Sequence, residues 1–105
     1  MMPASTLRLY ALDKHEPVLC DSFLTFDLFL ANFDARRVAH DTVGDVHVSS
    51  VFIGISTDNR PRLFETMVFG GPHHRYCVRA ETWDECLRNH AQALRMIGAG
   101  DGAST

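Results

Sequence analysis

The stretch from Val46 to Phe69 constrains the fold of this chain more than any other. It holds two runs rich in β-branched and aromatic residues, Val46-His47-Val48-Ser49-Ser50-Val51-Phe52-Ile53-Gly54-Ile55 and Leu63-Phe64-Glu65-Thr66-Met67-Val68-Phe69. Such residues suit a pleated, half-buried strand. The polar run Ser56-Thr57-Asp58-Asn59-Arg60-Pro61 between them reads as a turn. Along the first strand Val46, Val48, Ser50, Phe52 and Gly54 share one face, and His47, Ser49, Val51, Ile53 and Ile55 the other. Apolar residues on both faces, most of all toward the strand's end, predict a central position in the sheet. Along the second strand Leu63, Glu65, Met67 and Phe69 share a face. Glu65 is the one carboxylate in this apolar stretch.

The flanking segments supply further elements. Residues 7–12 read as a first strand, and Val18-Leu19-Cys20 as a short return after the turn Asp13-Lys14-His15-Glu16-Pro17, with the proline keeping this pair at an edge. Phe26, Phe29, Leu30 and Phe33 recur at helical spacing, so a short helix is expected over residues 22–33, capped by Ser22 or Thr25. Arg37 to Val43 reads as a strand, and Gly44-Asp45 as the tight turn that joins it to Val46. After Gly70-Gly71-Pro72 and the loop histidines His73 and His74, Tyr76-Cys77-Val78 reads as a last short strand.

Thr82-Trp83-Asp84-Glu85 has the form of a capping box, in which Thr82 caps the helix and Glu85 bonds back. Trp83, Leu87, His90, Leu94 and Ile97 then form one apolar stripe flanked by Cys86 and Ala93, and Gly98 is expected to stop the helix. Residues 1–98 are thus expected to form a single α+β domain and 99–105 a flexible tail. The order is β-β-α-β-β-β-α. It predicts an antiparallel sheet of about four to five strands with two helices packed on one face.

Composition excludes several classes. A formal net charge of −3, from 13 acidic and 10 basic side chains, opposes phosphate binding. The α-β-β-β-α order of residues 22–97 is shared with double-stranded-RNA-binding modules, but the last helix begins with Asp84 and Glu85 where shape-and-phosphate recognition needs cations. Nucleic acid is therefore not an expected partner. No apolar run reaches the 18 residues of a membrane span and the start has no signal-peptide pattern, so a cytoplasmic setting with no membrane partner is expected. Cys20, Cys77 and Cys86 are too few and too irregular for a disulfide framework, and Cys86 reads as a small core residue.

Candidate chemistry is sparse. Glu65 can serve as a general base, as the partner of an Arg on a neighbouring strand, or as an exposed contact. His73-His74-x-x-Cys77 carries metal-capable side chains without a standard zinc spacing, and no cofactor is expected. His90 on the last helix is most simply a hydrogen-bonded core residue, and His40 and His47 fall where they can neighbour each other across a hairpin. Ser49 and Ser50 lie mid-strand rather than on a nucleophile elbow, and Gly70-Gly71 is followed by Pro72 rather than by the rest of a phosphate loop. Arg36, Arg37, Arg60, Arg62, Arg75 and Arg79 fall at strand ends and turns, either as solvated charges or as a local basic patch.

The central residues Val48-Ser49-Ser50-Val51-Phe52-Ile53-Gly54-Ile55 and Leu63-Phe64-Glu65-Thr66-Met67-Val68-Phe69-Gly70 resemble a family of small phage, prophage and bacterial proteins. Its members read approximately V-S-T-V-W-L-G-L-D-H, a glycine-rich turn, then P-P-L-I-F-E-T-M-V-F. Tyr10-Ala11-Leu12-Asp13 is similar to that family's opening turn, Arg37-Val38-Ala39-His40-Asp41-Thr42 to its V-A-Q-T, and Ala80 to Cys86 with His90 to its closing helix. Ser56-Thr57 stands where the family has Asp-His, and the glycine-rich turn is shortened, so no site built on that Asp and His carries over. The resemblance implies a small, phage-borne accessory protein with no established activity.

Size, setting and sparse chemistry together favour a non-enzymatic protein that binds a host protein, for example to inhibit a defence system such as CRISPR–Cas. Glu65, Arg60, Arg62, His73, His74 and Arg75 are the candidate partner-binding residues. The competing class is a small hydrolase or metal-dependent enzyme that uses Glu65 with His47, His73 and His74. A third option is a homodimer joined through the open face or edge of the sheet.

Overall fold

Gly54 is where the chain changes sheets. A computed structural model of the protein describes residues 7–57 and 61–102, the last four of these through their backbone alone. Strand β4 (Val46–Phe52) ends just before Gly54, whose φ of +74° turns the chain. The two-residue strand β5 (Ile55–Ser56) then pairs with β1 (Arg8–Asp13) instead of continuing beside β4. Only glycine fits this corner. An added Cβ would lie 2.6 Å from the Tyr10 carbonyl oxygen and 2.9 Å from the Phe52 ring. The Tyr10 N–H in turn donates to the Gly54 carbonyl at 2.7 Å. The single strand expected over 46–55 is therefore two strands in two sheets.

Both sheets are antiparallel. The smaller has the order β2-β1-β5, with β2 running Glu16–Leu19. The larger has the order β3-β4-β6-β7, with β3 at Arg37–Val43, β6 at Phe64–Phe69 and β7 at Cys77–Ala80. Strand β4 is central, as its two apolar faces predict. The α+β class is as expected. The first hairpin, however, forms its own sheet with β5 rather than an edge of the main one.

Helix α1 (Phe23–Leu30) starts at Ser22, whose hydroxyl accepts the Thr25 N–H. The expected helix over residues 22–33 is shorter than its phenylalanines suggest. Asn32 accepts the Ala35 N–H and begins a separate turn, α2 (Phe33–Arg36).

Helix α3 (Trp83–Gly102) lies across one face of the larger sheet. Thr82 caps it as expected, accepting the Glu85 N–H at 3.0 Å. Glu85 bonds back to the N–H of Glu81 rather than to that of Thr82. The buried stripe is Cys86, His90, Ala93 and Ile97, spaced four, three, four. Leu87, expected on the stripe, is exposed, and the residues expected at its flank form its centre. Gly98 does not stop the helix, which takes in the first four residues of the expected tail. A helix-interior glycine costs only about 1 kcal/mol relative to alanine, which a packed helix tolerates. The rest of that tail lies outside the described residues.

Two apolar clusters fill the space between α3 and the sheet. One gathers Phe52, Leu63, Phe64, Ala80 and Cys86, with Tyr10, Leu12, Phe29 and Trp83 around it. The other gathers Val48, Val68, Ala93 and Ile97. Between them lies a polar layer. Ser50 falls between Val48 and Phe52 on β4, Thr66 between Phe64 and Val68 on β6, and His90 between Cys86 and Ala93 on α3. Ser50 Oγ is 2.6 Å from Thr66 Oγ1 and 2.7 Å from His90 Nδ1, and His90 Nε2 is 2.8 Å from Asp41 Oδ2. The Cys86 thiol closes the chain 3.8 Å from Thr66 Oγ1. A neutral His90 with its proton on Nε2 satisfies this layer. It donates to the Asp41 carboxylate and accepts from Ser50 on Nδ1, and Ser50 accepts from Thr66.

Two outcomes follow for folding. Gly54→Ala is expected to lower the free energy of unfolding by about 2–4 kcal/mol, from positive φ and the close Tyr10 and Phe52 contacts. An unchanged urea midpoint would contradict this reading of the corner. His90→Leu takes away the acceptor of the Ser50 hydroxyl proton, leaving Ser50 with Thr66 alone, and is expected to cost about 1–3 kcal/mol. The triple variant Ser50→Ala, Thr66→Val, His90→Leu removes the under-satisfied hydroxyl pair altogether. It should recover part of that loss in the same urea titration.

Candidate interaction face

Among the described residues no element covers the second face of the larger sheet, and α3 lies on the other. Strand alternation sends every other side chain of β3, β4, β6 and β7 outward. Cross-strand pairing sets them in three rows. The first is Thr42, His47 and Phe69; the second is His40, Ser49, Met67 and Cys77; the third is Arg37, Val51, Glu65 and Arg79. Phe69, His40, His47, Cys77 and Arg79 are exposed, while Ser49, Val51, Glu65 and Met67 are half-buried by their neighbours. Outward along the two central strands, Val51, Met67 and Phe69 alternate with His47, Ser49 and Glu65, so the face mixes apolar and polar groups, as a non-obligate contact surface does.

Local pairs fix several of these side chains. The His40 and His47 rings lie 5.8 Å apart and nearly parallel, as their strand positions allow, and Thr42 Oγ1 meets His47 Nδ1 at 3.2 Å. Glu65 takes up the ion pair with an Arg on a neighbouring strand: its Oε2 is 3.4 Å from Arg79 Nε. The same oxygen accepts from the Cys77 thiol at 3.3 Å. Partial burial, the hydrogen bond to Glu65 and the Glu65 charge all push the Cys77 thiol above its ordinary value, against the opposing pull of Arg79. Burial pushes up the Cys86 thiol too, and Cys86 is a closed core residue as expected.

The residues singled out in the sequence are spread along this sheet rather than gathered. Glu65 is on β6. Arg62 precedes that strand, where it lines a recess with Ile55, Ser56, Thr57 and Arg79. His73 and His74 follow the strand's far end, whereas the Arg75 N–H donates to the Val68 carbonyl at 2.8 Å, three strand residues, about 10 Å, from Glu65. His74 Nδ1 accepts the Gly70 N–H at 2.8 Å, which holds the ring against the loop, and Arg75 sits at φ +75°. Arg60 lies outside the described residues. Glu65 and His47 share a face but not a row; four strand residues, about 13 Å, separate Val51, the partner of Glu65, from His47. The carboxylate and histidines of the enzyme reading thus do not converge. Among the described residues, no group of three His, Cys, Asp or Glu side chains is placed to share a metal ion.

Among the described residues, the one constellation with the connectivity of a nucleophile, base and orienting acid is Ser50-His90-Asp41, and neither Ser50 nor Asp41 is marked out for it in the sequence. The available signal is the placement of Ser50 on the otherwise apolar Val46-Val48-Phe52 face. Ser50 is 0% exposed and its Oγ is also held by Thr66, so no substrate carbonyl can approach it. These three residues join α3 to the sheet.

No known protein family, curated protein or solved structure matches the chain. Among the described residues no helix is long and apolar enough to cross a membrane.

The contacts of Cys77 give a direct check on the third row. Glu65→Gln removes the charge that opposes the thiolate and the carboxylate that accepts its proton, while Arg79 stays. Alkylation of Cys77 by iodoacetamide at neutral pH is therefore expected to speed up in the variant, with Cys86 protected in both proteins. An equal or slower rate at Cys77 would contradict the pairing.

Proposed function

We propose that this chain is a non-enzymatic interaction protein that docks a partner protein against the uncovered face of its four-stranded sheet. The carrying observation is that face itself: Phe69, Met67 and Val51 on its two central strands, with His47, Ser49 and Glu65 between them and His40, Cys77 and Arg79 on the outer strands. An exposed Phe and a half-buried Met among polar groups suit a contact that forms and dissolves, since the free protein tolerates them in water. The Arg79–Glu65 pair reaches from the exposed edge strand to a half-buried carboxylate and contributes to orientation and association rate more than to affinity.

The similarity of the Phe64-Glu65-Thr66-Met67 region to small phage and prophage proteins supports a host protein as the partner. A component of a host defence system, such as a CRISPR–Cas effector, is the first class to try. The cytoplasm of the host is the matching compartment.

Phe69→Asp and Met67→Arg place charges at the centre of the face without touching the core side. Both variants are expected to keep the wild-type circular dichroism spectrum. Wild-type protein coupled to resin should recover one stoichiometric protein from host lysate, and either variant should lose it. Phe69→Ala should weaken the purified complex about tenfold or more, the loss of about 1.4 kcal/mol or more of a central aromatic anchor. Equal recovery by wild type and both charged variants would overturn the assignment of the face.

A further inference from the structure

Helix α1 is the second place where apolar surface is left uncovered, and it differs in kind from the sheet face. Six of its eight residues are Phe or Leu, yet only Phe26 is buried. Phe26 points inward near Gly54. Leu24 and Leu28, at positions i and i+4, stand on the opposite side, 65% and 66% exposed. Phe23 and, from α2, Phe33 extend the stripe at 69% and 54% exposed. Leu7, Leu9 and Leu19 meet Phe23 along a shallow groove, and Leu7 and Leu19 are also exposed. A helix that is apolar all round belongs in an interior.

We propose that this surface is the interface of a homodimer, in which α1 and α2 of one copy pack antiparallel against α1 and α2 of a second copy about a two-fold axis. Two observations select a second copy as the occupant. The first is area. The exposed parts of Leu7, Leu19, Phe23, Leu24, Leu28 and Phe33 amount to roughly 600–700 Å² of apolar surface, close to the ~800 Å² that each partner contributes to a standard stable interface. It exceeds the few hundred Å² that monomers commonly leave exposed.

The second is charge. A two-fold contact must be complementary to itself. Asp21 lies at the start of the stripe, two residues before α1, and Asp27 midway along it. Arg36 and Arg37 lie at its other end, with Asp34 as the sole acid in α2. The guanidinium of Arg37 sits 5.2 Å from the Phe33 ring centroid, fixed at the border of the apolar patch. Antiparallel packing sets the acidic end of each copy against the basic end of the other. This contact adjoins the uncovered sheet face at Arg37, which pairs with Val51 at the start of β3, and leaves the rest of that face open. The dimer therefore presents two docking faces, and it stands or falls independently of what those faces bind.

Multi-angle light scattering of the purified full chain tests the proposal without any partner. The expected mass is twice the 11.8 kDa of one chain. Leu24→Arg with Leu28→Arg, both at exposed positions, should give the monomer mass with the circular dichroism of the wild type. Two charge reversals make the test specific. Asp21→Lys and Arg37→Glu should each weaken the dimer alone, because each sets like charges together. An equimolar mixture of the two should restore it, because every cross-copy pair is again opposite in sign. A monomeric wild type, or a dimer that persists in the double Leu→Arg variant, overturns the proposal. So does a mixture of the two reversal variants that remains monomeric.

Discussion

The hydrogen-bond chain from Asp41 through His90, Ser50 and Thr66 to Cys86 sets how the rest of this structure is arranged. It ties three strands, β3, β4 and β6, to α3 at the middle of the helix. Each hydrogen bond adds only about 0.5–1.5 kcal/mol net, so the chain is not the main source of stability. That comes from the two apolar clusters on either side, where a fully buried Phe or Leu contributes about 1.5–3 kcal/mol. The polar layer supplies specificity of placement. If α3 slid by one turn, apolar residues would still meet apolar residues, but the Ser50 hydroxyl would lose His90 and Thr66 would lose Cys86 in a dry interior. The helix has one position at which these groups are all satisfied, and among the described residues no buried side-chain nitrogen or oxygen lacks a partner.

Fixing α3 on one face decides what remains open on the other. A chain of 105 residues has little material beyond one core, and here α3, α1 and the first hairpin all gather on the helix side. The opposite side of β3-β4-β6-β7 is left as a ladder of His, Met, Phe, Cys and the Glu65–Arg79 pair. The same arrangement leaves α1 with a single buried contact side. The proposed division of labour follows from composition. The largely apolar α1–α2 surface, with charges along its border, suits a permanent contact between identical chains, whereas the mixed sheet face suits a partner that comes and goes.

Much of the fold was legible in the residues. Alternation fixed the faces of β4 and β6, Gly44 marked the hairpin of β3 with β4, and Ser22 and Thr82 marked two helix starts. The core role of Cys86 was readable from position, whereas the Glu65 ion pair was one of three roles left open and the closeness of His40 to His47 was allowed but not required. The departures share a cause, which is that tertiary contact overrides local pattern. Gly54 reads as one more strand residue until Tyr10 and Phe52 are seen to crowd it. Side-chain size centres the expected stripe of α3 on Trp83 and Leu87, whereas the sheet admits only Cys86 and Ala93 beside His90. The Ser50-His90-Asp41 connection spans 49 residues of sequence and rests on the register of β3 against β4, which periodicity does not specify. The exposure of α1 was equally out of reach, since a helix rich in Phe and Leu predicts burial.

The claim at the centre is that one face of the four-stranded sheet is sealed by α3 and the other stands open to a partner. Nuclear magnetic resonance of the free protein with a water-soluble nitroxide measures this directly. The Met67 methyl and the Phe69 and His47 ring signals should broaden strongly, while the methyls of Val48, Thr66 and Val68, one residue away on the same strands, should not. Sharp Met67 and Phe69 signals in the presence of the probe would show that face already covered, and would contradict the docking assignment.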